Sequence, residues 1–240
     1  MRNNYDRIAR YYDFLSRIVF FRAQLKAQID QLHFIPANSS VLIVGGGTGW
    51  ILEEIAKVHP TGLNITYVEI SAKMLELSRK RYAGANHVTF VHSPAENLGG
   101  DTEDHLNQRT SDDPKENTAS SANNETTPVP NKVPATYDVI LTAFLFDNFQ
   151  QEKITKVFNL LDQQLNPNGL WLFSDFYLSA GKKWQSYLLK AMYLFFKQIS
   201  NVEARQLLNT EHCFRERSYH VLQTRFYYAK FIKALVYQKT

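Results

Sequence analysis

The sequence predicts an α/β fold: a mostly parallel seven-stranded sheet with helices on both faces and an antiparallel strand pair near its C-terminal end. Three observations carry this. Short, wholly apolar runs such as VLIV (41–44) read as strands buried on both faces. Such runs alternate with helical patterns through Phe176, which implies right-handed crossovers and parallel pairing. The tail then breaks the rhythm, because RERSYHVL and KALVYQK, joined by QTRFYYAKF, are only about nine residues apart, too few for a helical crossover.

Taken in order, residues 5–32 read as a helix, with Ile8, Tyr11, Tyr12, Leu15, Ile18, Val19 and Arg22 at three- and four-residue spacing. Pro36, Asn38 and Ser39 break it. The strand VLIV ends in glycines, and a helix follows over 48–58. NITYVEI is the second strand, ending at Ile70, after which Ser71 can cap a helix running to Tyr82 with Met74, Leu75 and Leu77 inward. HVTFVHS (87–93) is the third strand. From 99 to 136 the chain is rich in Asp, Glu, Asn, Ser, Thr and Pro, and such a stretch buries too little to offset its ordering entropy, so a disordered surface insert is expected. YDVILTAF (137–144) is the fourth strand, 151–165 a helix ending in the turn NPNG, and LWLFSDFY (170–177) the fifth strand. An aromatic helical segment spans 182–208. The expected organisation is an N-terminal helical cap over 1–35 and one α/β domain over 36–240, carrying the insert and a helical lid at 182–208.

Composition narrows the class. The 240 residues include 27 Lys and Arg against 23 Asp and Glu, a net charge of +4 that is scattered rather than clustered, so a nucleic-acid footprint is not expected. One cysteine, Cys213, excludes an internal disulfide and a thiolate metal cluster, and it fits a reducing cytoplasm. No His, Cys and carboxylate spacing suggests a metal. The N-terminal residues have no apolar signal core, and Lys190 and Lys197 interrupt the most apolar stretch (184–199), which falls short of the roughly 20 apolar residues that span a bilayer. Peripheral membrane contact stays open, as does the oligomeric state.

The chemistry is expected at GGGTGW (45–50), between a buried strand and a helix. Glycines there let a ligand approach the backbone, and the helix start presents unpaired N–H groups. Glu69 lies twenty residues beyond Gly49, at the end of the next strand, where a carboxylate can accept from both ribose hydroxyls of an adenosine ligand. Read as GxGxxG from Gly45, the third glycine position is Trp50, which disfavours a pyrophosphate-binding dinucleotide site.

As a set, these motifs resemble the class I S-adenosylmethionine-dependent methyltransferases, in the broad group that includes the quinone-biosynthesis C-methyltransferases. VLIVGGGTGW is similar to that family's first motif, YVEIS to its second, FVHSPAENL to its third and YDVILTAFLFDNF to its fourth. NPNGLWLFSDF is similar to the turn and strand that follow, and YDRIARYYDFLSRI to the N-terminal helix. The resemblance implies a Rossmann-like methyltransferase fold with S-adenosylmethionine as cofactor. It implies that Gly45, Gly46, Gly47, Thr48 and Gly49 face the methionine part and that Glu69 holds the ribose. Ile70 and Met74 would pack on adenine, and the stretch from Ser93 through Ala95 to Glu96 would edge it. Thr142 and Ala143, with Phe144, would lie beneath the sulfonium, and Tyr12 would close over the methionine carboxylate. Two positions depart from the family: Ile43 stands where the first strand usually carries an acid, and Pro94 where the third motif usually carries Asp.

Methyl transfer needs alignment of nucleophile, methyl and sulfur, and some acceptors also need a base. Candidates for a base are Asp147, Asp175, His92, His212 and the N-terminal tyrosines; Asp175 is expected at the carboxyl end of a sheet strand, where α/β ligand sites form. The apolar segment WQSYLLKAMYLFFKQI, with apolar residues nearly all round, reads as packing against the N-terminal helix or as a lid over a small hydrophobic or aromatic acceptor. The fourth motif reads TAFLFDN rather than an Asn/Asp-Pro-Pro-aromatic, which disfavours a nucleic-acid substrate. The alternatives are a non-catalytic S-adenosylmethionine sensor or scaffold, and an NAD(P)-dependent oxidoreductase.

Overall fold

The computed structural model describes residues 22–98, 136–179, 181–190 and 207–240. The expected N-terminal helix up to residue 21, Tyr12 within it, the insert at 99–135 and the lid residues 191–206 lie outside the described residues.

The seven strands are β1 (Ser40–Val44), β2 (Asn64–Glu69), β3 (His87–His92), β4 (Tyr137–Ala143), β5 (Leu165–Phe176), β6 (His220–Tyr227) and β7 (Ile232–Gln238). They form one sheet in the order β3-β2-β1-β4-β5-β7-β6. Pairing is parallel from β3 through β5 and antiparallel at β5–β7 and β7–β6. The helices are α1 (Ala23–Ile29), α2 (Trp50–Val58), α3 (Ala72–Arg81), α4 (Gln151–Gln164), helical turns α5 over 183–190, and α6 (Glu211–Glu216).

The period of two along each strand sorts the core into layers. Ile43, Tyr67, Leu141 and Leu172 face α2 and α3, while Val44, Val68, Ile140 and Trp171 face α4 and α6. On the second face Trp171 stacks on Phe158 at 5.1 Å and meets Phe214 edge-on at 5.0 Å. A third apolar cluster, with Ala27, Phe176, Leu189 and Phe231, joins α1, α5 and the β5–β7 end of the sheet. At the amino ends of the central strands, Asp138 accepts from Ser40 N at 2.8 Å and Asn166 Nδ2 at 2.9 Å, stapling β1, β4 and β5 together.

Four boundaries differ from the sequence reading. The turn at 166–169 is absorbed into β5 through a register shift between Tyr137 and Val139, with Asn168 at φ 61°. The start of RERSYHVL ends helix α6 rather than beginning a strand. Most of QTRFYYAKF is not a connection: β6 continues through Tyr227, and the reversal is made by Tyr228, Ala229 and Lys230. Leu207 and Leu208, at the end of the expected lid, are not helical.

Candidate functional site

The carboxyl end of β1 runs into the glycine loop, which Gly45 N ties to Val68 O on β2 at 2.9 Å. Its glycines serve different ends. Gly47, at φ 67°, faces open space: a Cβ there would meet nothing within 4 Å. Gly46 lies against the buried Tyr67 ring, where a Cβ would come within 2.2 Å of Cζ. Gly49, at φ 86°, caps α2 and touches α3, since a Cβ would sit 2.6 Å from Ser78 Cα. Tyr67 Oη donates to Gly47 O at 3.0 Å and so supports the loop from below.

Beside the loop, Glu69 ends β2 and is only 5% exposed. Its Oε2 accepts from Gly47 N and its Oε1 from Ser71 N, both at 2.9 Å. Burial pushes its pKa up, against the pull of those N–H groups. The Ile70 N–H also donates to the carboxylate, whose two oxygens offer about four acceptor sites, so capacity remains for an incoming hydroxyl donor. Ser71 also caps α3, its Oγ accepting from Met74 N at 3.2 Å.

Opposite the glycine loop, Gln24, Leu25 and Gln28 of α1 form a wall, and Ile43, Ala143 and Phe144 complete the cleft. Phe144 holds φ 52°, a left-handed conformation rare for a bulky residue. Phe144 N donates to Ser174 O at 2.8 Å, and Asn148 Nδ2 donates to Phe144 O at 2.9 Å. Backbone strain held this firmly beside a cleft is where ligand sites store it.

Of the remaining expected residues, Thr48 lines the cleft while its Oγ1 accepts from Arg81 Nη1 at 2.9 Å. Ile70 is exposed beside Glu69, and Met74 is buried beneath. Ser93 is buried, its N–H reaching Glu69 O at 3.2 Å and its hydroxyl Pro94 O at 3.1 Å. Ala95 packs into the core, and Glu96 pairs with Lys153 at 2.8 Å. Thr142 Oγ1 accepts from Trp171 Nε1 at 2.8 Å, which turns that side chain into the core and leaves Ala143 on the cleft. His92 contacts Ile70 O at 2.9 Å and His212 contacts Asn209 O, so both ring nitrogens engage local backbone.

Asp147, just after β4, and Asp175, near the end of β5, come together. Asp175 is 5% exposed and accepts from Phe176 N at 2.8 Å and from the backbone N–H of Asp147. Burial raises both carboxyls, and the Asp175 charge raises Asp147 further. The pair therefore favours holding a proton.

The sequence matches the family described as methyltransferase domain over residues 12–235. The chain belongs to that family. Among relatives, it is 30% identical over 100 residues to the ubiquinone/menaquinone biosynthesis C-methyltransferase of Geotalea daltonii, covering 39% of this chain and 42% of that one. It is 29% identical over 137 residues to the malonyl-[acyl-carrier protein] O-methyltransferase of Halalkalibacterium halodurans, covering 57% and 39%. The matched region is thus less than half the length of either relative. The fold is shared with the putative methyltransferase complexed with the Trm112 activator of Haloferax volcanii, at TM-score 0.62 and 10% identity, covering 100% of this chain and 99% of that one. A methyltransferase of calicheamicin biosynthesis, solved with S-adenosylhomocysteine bound, gives TM-score 0.60 and 16% identity, covering 96% and 56%.

In this methyltransferase domain, sequence reasoning missed the α1 wall. The expected closure fell on Tyr12, whereas the described residues facing the glycine loop are Gln24, Leu25 and Gln28 of the same N-terminal segment. The signal was present as two glutamines one helical turn apart, at 24 and 28, each directly after an alanine, at 23 and 27, that packs inward.

Proposed function

We propose that this domain binds S-adenosylmethionine in the cleft between the glycine loop and α1, and methylates a small hydrophobic or aromatic acceptor. The observation that carries the reading is Glu69: a buried carboxylate fixed by Gly47 N–H and Ser71 N–H at the edge of an open glycine. An acceptor-only group there suits the two ribose hydroxyls of adenosine. When bound, S-adenosylmethionine supplies an electrophilic methyl group on a sulfonium.

The chain's own residues then position and protect. Ile43 and Ala143 give the cleft an apolar floor. Gln28 donates through Nε2 to Gln24 O at 3.2 Å, which leaves its amide oxygen to accept from the methionine ammonium in place of the acid that Ile43 displaces. Phe144 on the cleft wall, backed by the buried ring of Phe176 at 5.0 Å, offers an aromatic face to the acceptor at the carboxyl end of β4. If the acceptor carries an O–H, Asp175 in its ionised form would take the proton as the O–CH3 bond forms and the sulfonium–methyl bond breaks to leave a neutral thioether.

Calorimetric titration with S-adenosylhomocysteine, beside NADH, tests the reading on wild type and Glu69→Ala. Micromolar binding of the homocysteine product is expected, weakened about ten- to hundredfold in the variant, or about 1.5–3 kcal/mol for lost charge-assisted bonds. Tighter binding of NADH would sink it in favour of an oxidoreductase. Binding without turnover across a broad acceptor panel would leave a sensor or scaffold.

A further inference from the structure

At the β5–β7 end of the sheet, the first turns of α5 sit on the β6–β7 hairpin. Gln185 is fully buried there: Nε2 donates to Ala229 O at 3.1 Å, and Oε1 accepts from Ser179 N at 2.7 Å. Lys182 Nζ donates to Ala229 O at 2.7 Å, and Trp184 packs on Phe231 and Tyr228 at 5.9 and 6.0 Å. The helical turns are thereby held to the hairpin, and large side chains are left facing out. Leu178 is 38%, Trp184 42% and Tyr187 68% exposed, with Lys183 and Lys190 exposed on the same turns and Lys230 on the hairpin tip.

The charge of this face is of one sign. Residues 177–190 and 226–233 contain five lysines and no Asp or Glu. Lys233 is spent on Glu211 at 2.7 Å, and Arg225, next to the segment, on Asp30 at 3.4 Å. Lysines around Trp, Tyr and Leu suit an interface that is anionic at its surface and apolar just below it. Segments 177–190 and 226–233 contain no arginine, whose planar fork serves bidentate capture of nucleic-acid phosphate.

We infer that the face carrying Leu178, Trp184, Tyr187, Lys183, Lys190 and Lys230 docks on an anionic lipid surface. The lysines meet the headgroups and the two aromatic rings seat at headgroup level. The inference is independent of the methyl-transfer reading, though the two connect: ring centroids run from Trp184 to Phe231 at 5.9 Å, to Phe176 at 5.2 Å and to Phe144 at 5.0 Å, on the cleft wall. Docking here brings an apolar row that ends in the cleft up to the bilayer.

Co-sedimentation of the full chain with vesicles tests this, comparing an equimolar mixture of phosphatidylcholine and phosphatidylglycerol with phosphatidylcholine alone. Binding is expected only to the mixture and should fall with added salt. Lys183→Gln/Lys190→Gln/Lys230→Gln should weaken it on the order of a hundredfold, about fivefold for each lysine. Trp184→Ser/Tyr187→Ser should also release the protein, and an unchanged cooperative melting transition serves as the control for folding in both variants. Equal binding to both vesicle types, no loss in the lysine variant, or capture of single-stranded RNA in place of vesicles would overturn the inference.

Discussion

Gly47 and Gly49 both hold left-handed φ, yet only Gly47 opens onto the cleft; Gly49 is where α2 and α3 meet. Gly49→Ala would press a methyl onto the Ser78 backbone at 2.6 Å and strain φ 86°. We expect it to cost about 2–4 kcal/mol, from overpacking plus left-handed strain, read as a lower urea midpoint. The sequence made the loop legible as a candidate ligand site, because strand, glycines, helix and acid follow in register. It did not divide the glycines between ligand and packing, since that division depends on Ser78 in another helix. Nor did it show Thr142 turned to Trp171, because a threonine in an apolar strand does not announce which face holds its hydrogen-bond partner.

Among the elements, α1 is tied to the sheet at its end by Asp30, which accepts from Tyr227 Oη at 2.8 Å, and by the buried side chain of Gln31. Gln31 donates from Nε2 to Phe173 O at 3.1 Å and Leu235 O at 2.8 Å, and its Oε1 accepts from Ser174 Oγ at 3.0 Å. Gln31→Leu should leave those buried groups without that partner and cost about 3 kcal/mol. The α1 wall of the cleft should loosen with it, so weaker S-adenosylhomocysteine binding should accompany the lower melting midpoint. The central strands β1 and β4 were legible because burial on both faces makes them almost wholly apolar, and β2 and β3 because they recur between helical patterns. The antiparallel pairing of the tail was legible from its short connection, but its strand bounds were not, for two physical reasons. Strand β6 is the sheet edge and mostly exposed, so it carries no apolar alternation. Its turn places Tyr228, Ala229 and Lys230 at φ 48°, 51° and 66°, and no glycine marks the reversal.

For the whole molecule, Asp147 and Asp175 make stability depend on pH. Their pKa values are raised in the fold, Asp175 to about 7, so the native state binds more protons than the unfolded chain from the ordinary carboxylate range up to there. Stability should therefore fall as pH rises through that window. Asp175→Asn, which resembles the protonated form, should unfold later than wild type at mildly alkaline pH and show a flatter profile, measured by urea titration across the window. The strand order carries a different consequence. β7 is the last of the seven strands in the chain, yet it lies inside the sheet between β5 and β6. During synthesis, β5 waits with an unpaired edge until residues 232–238 have left the ribosome. Until then the nascent chain carries a bare strand open to neighbours, a window in which a holdase would matter more than after β7 has paired.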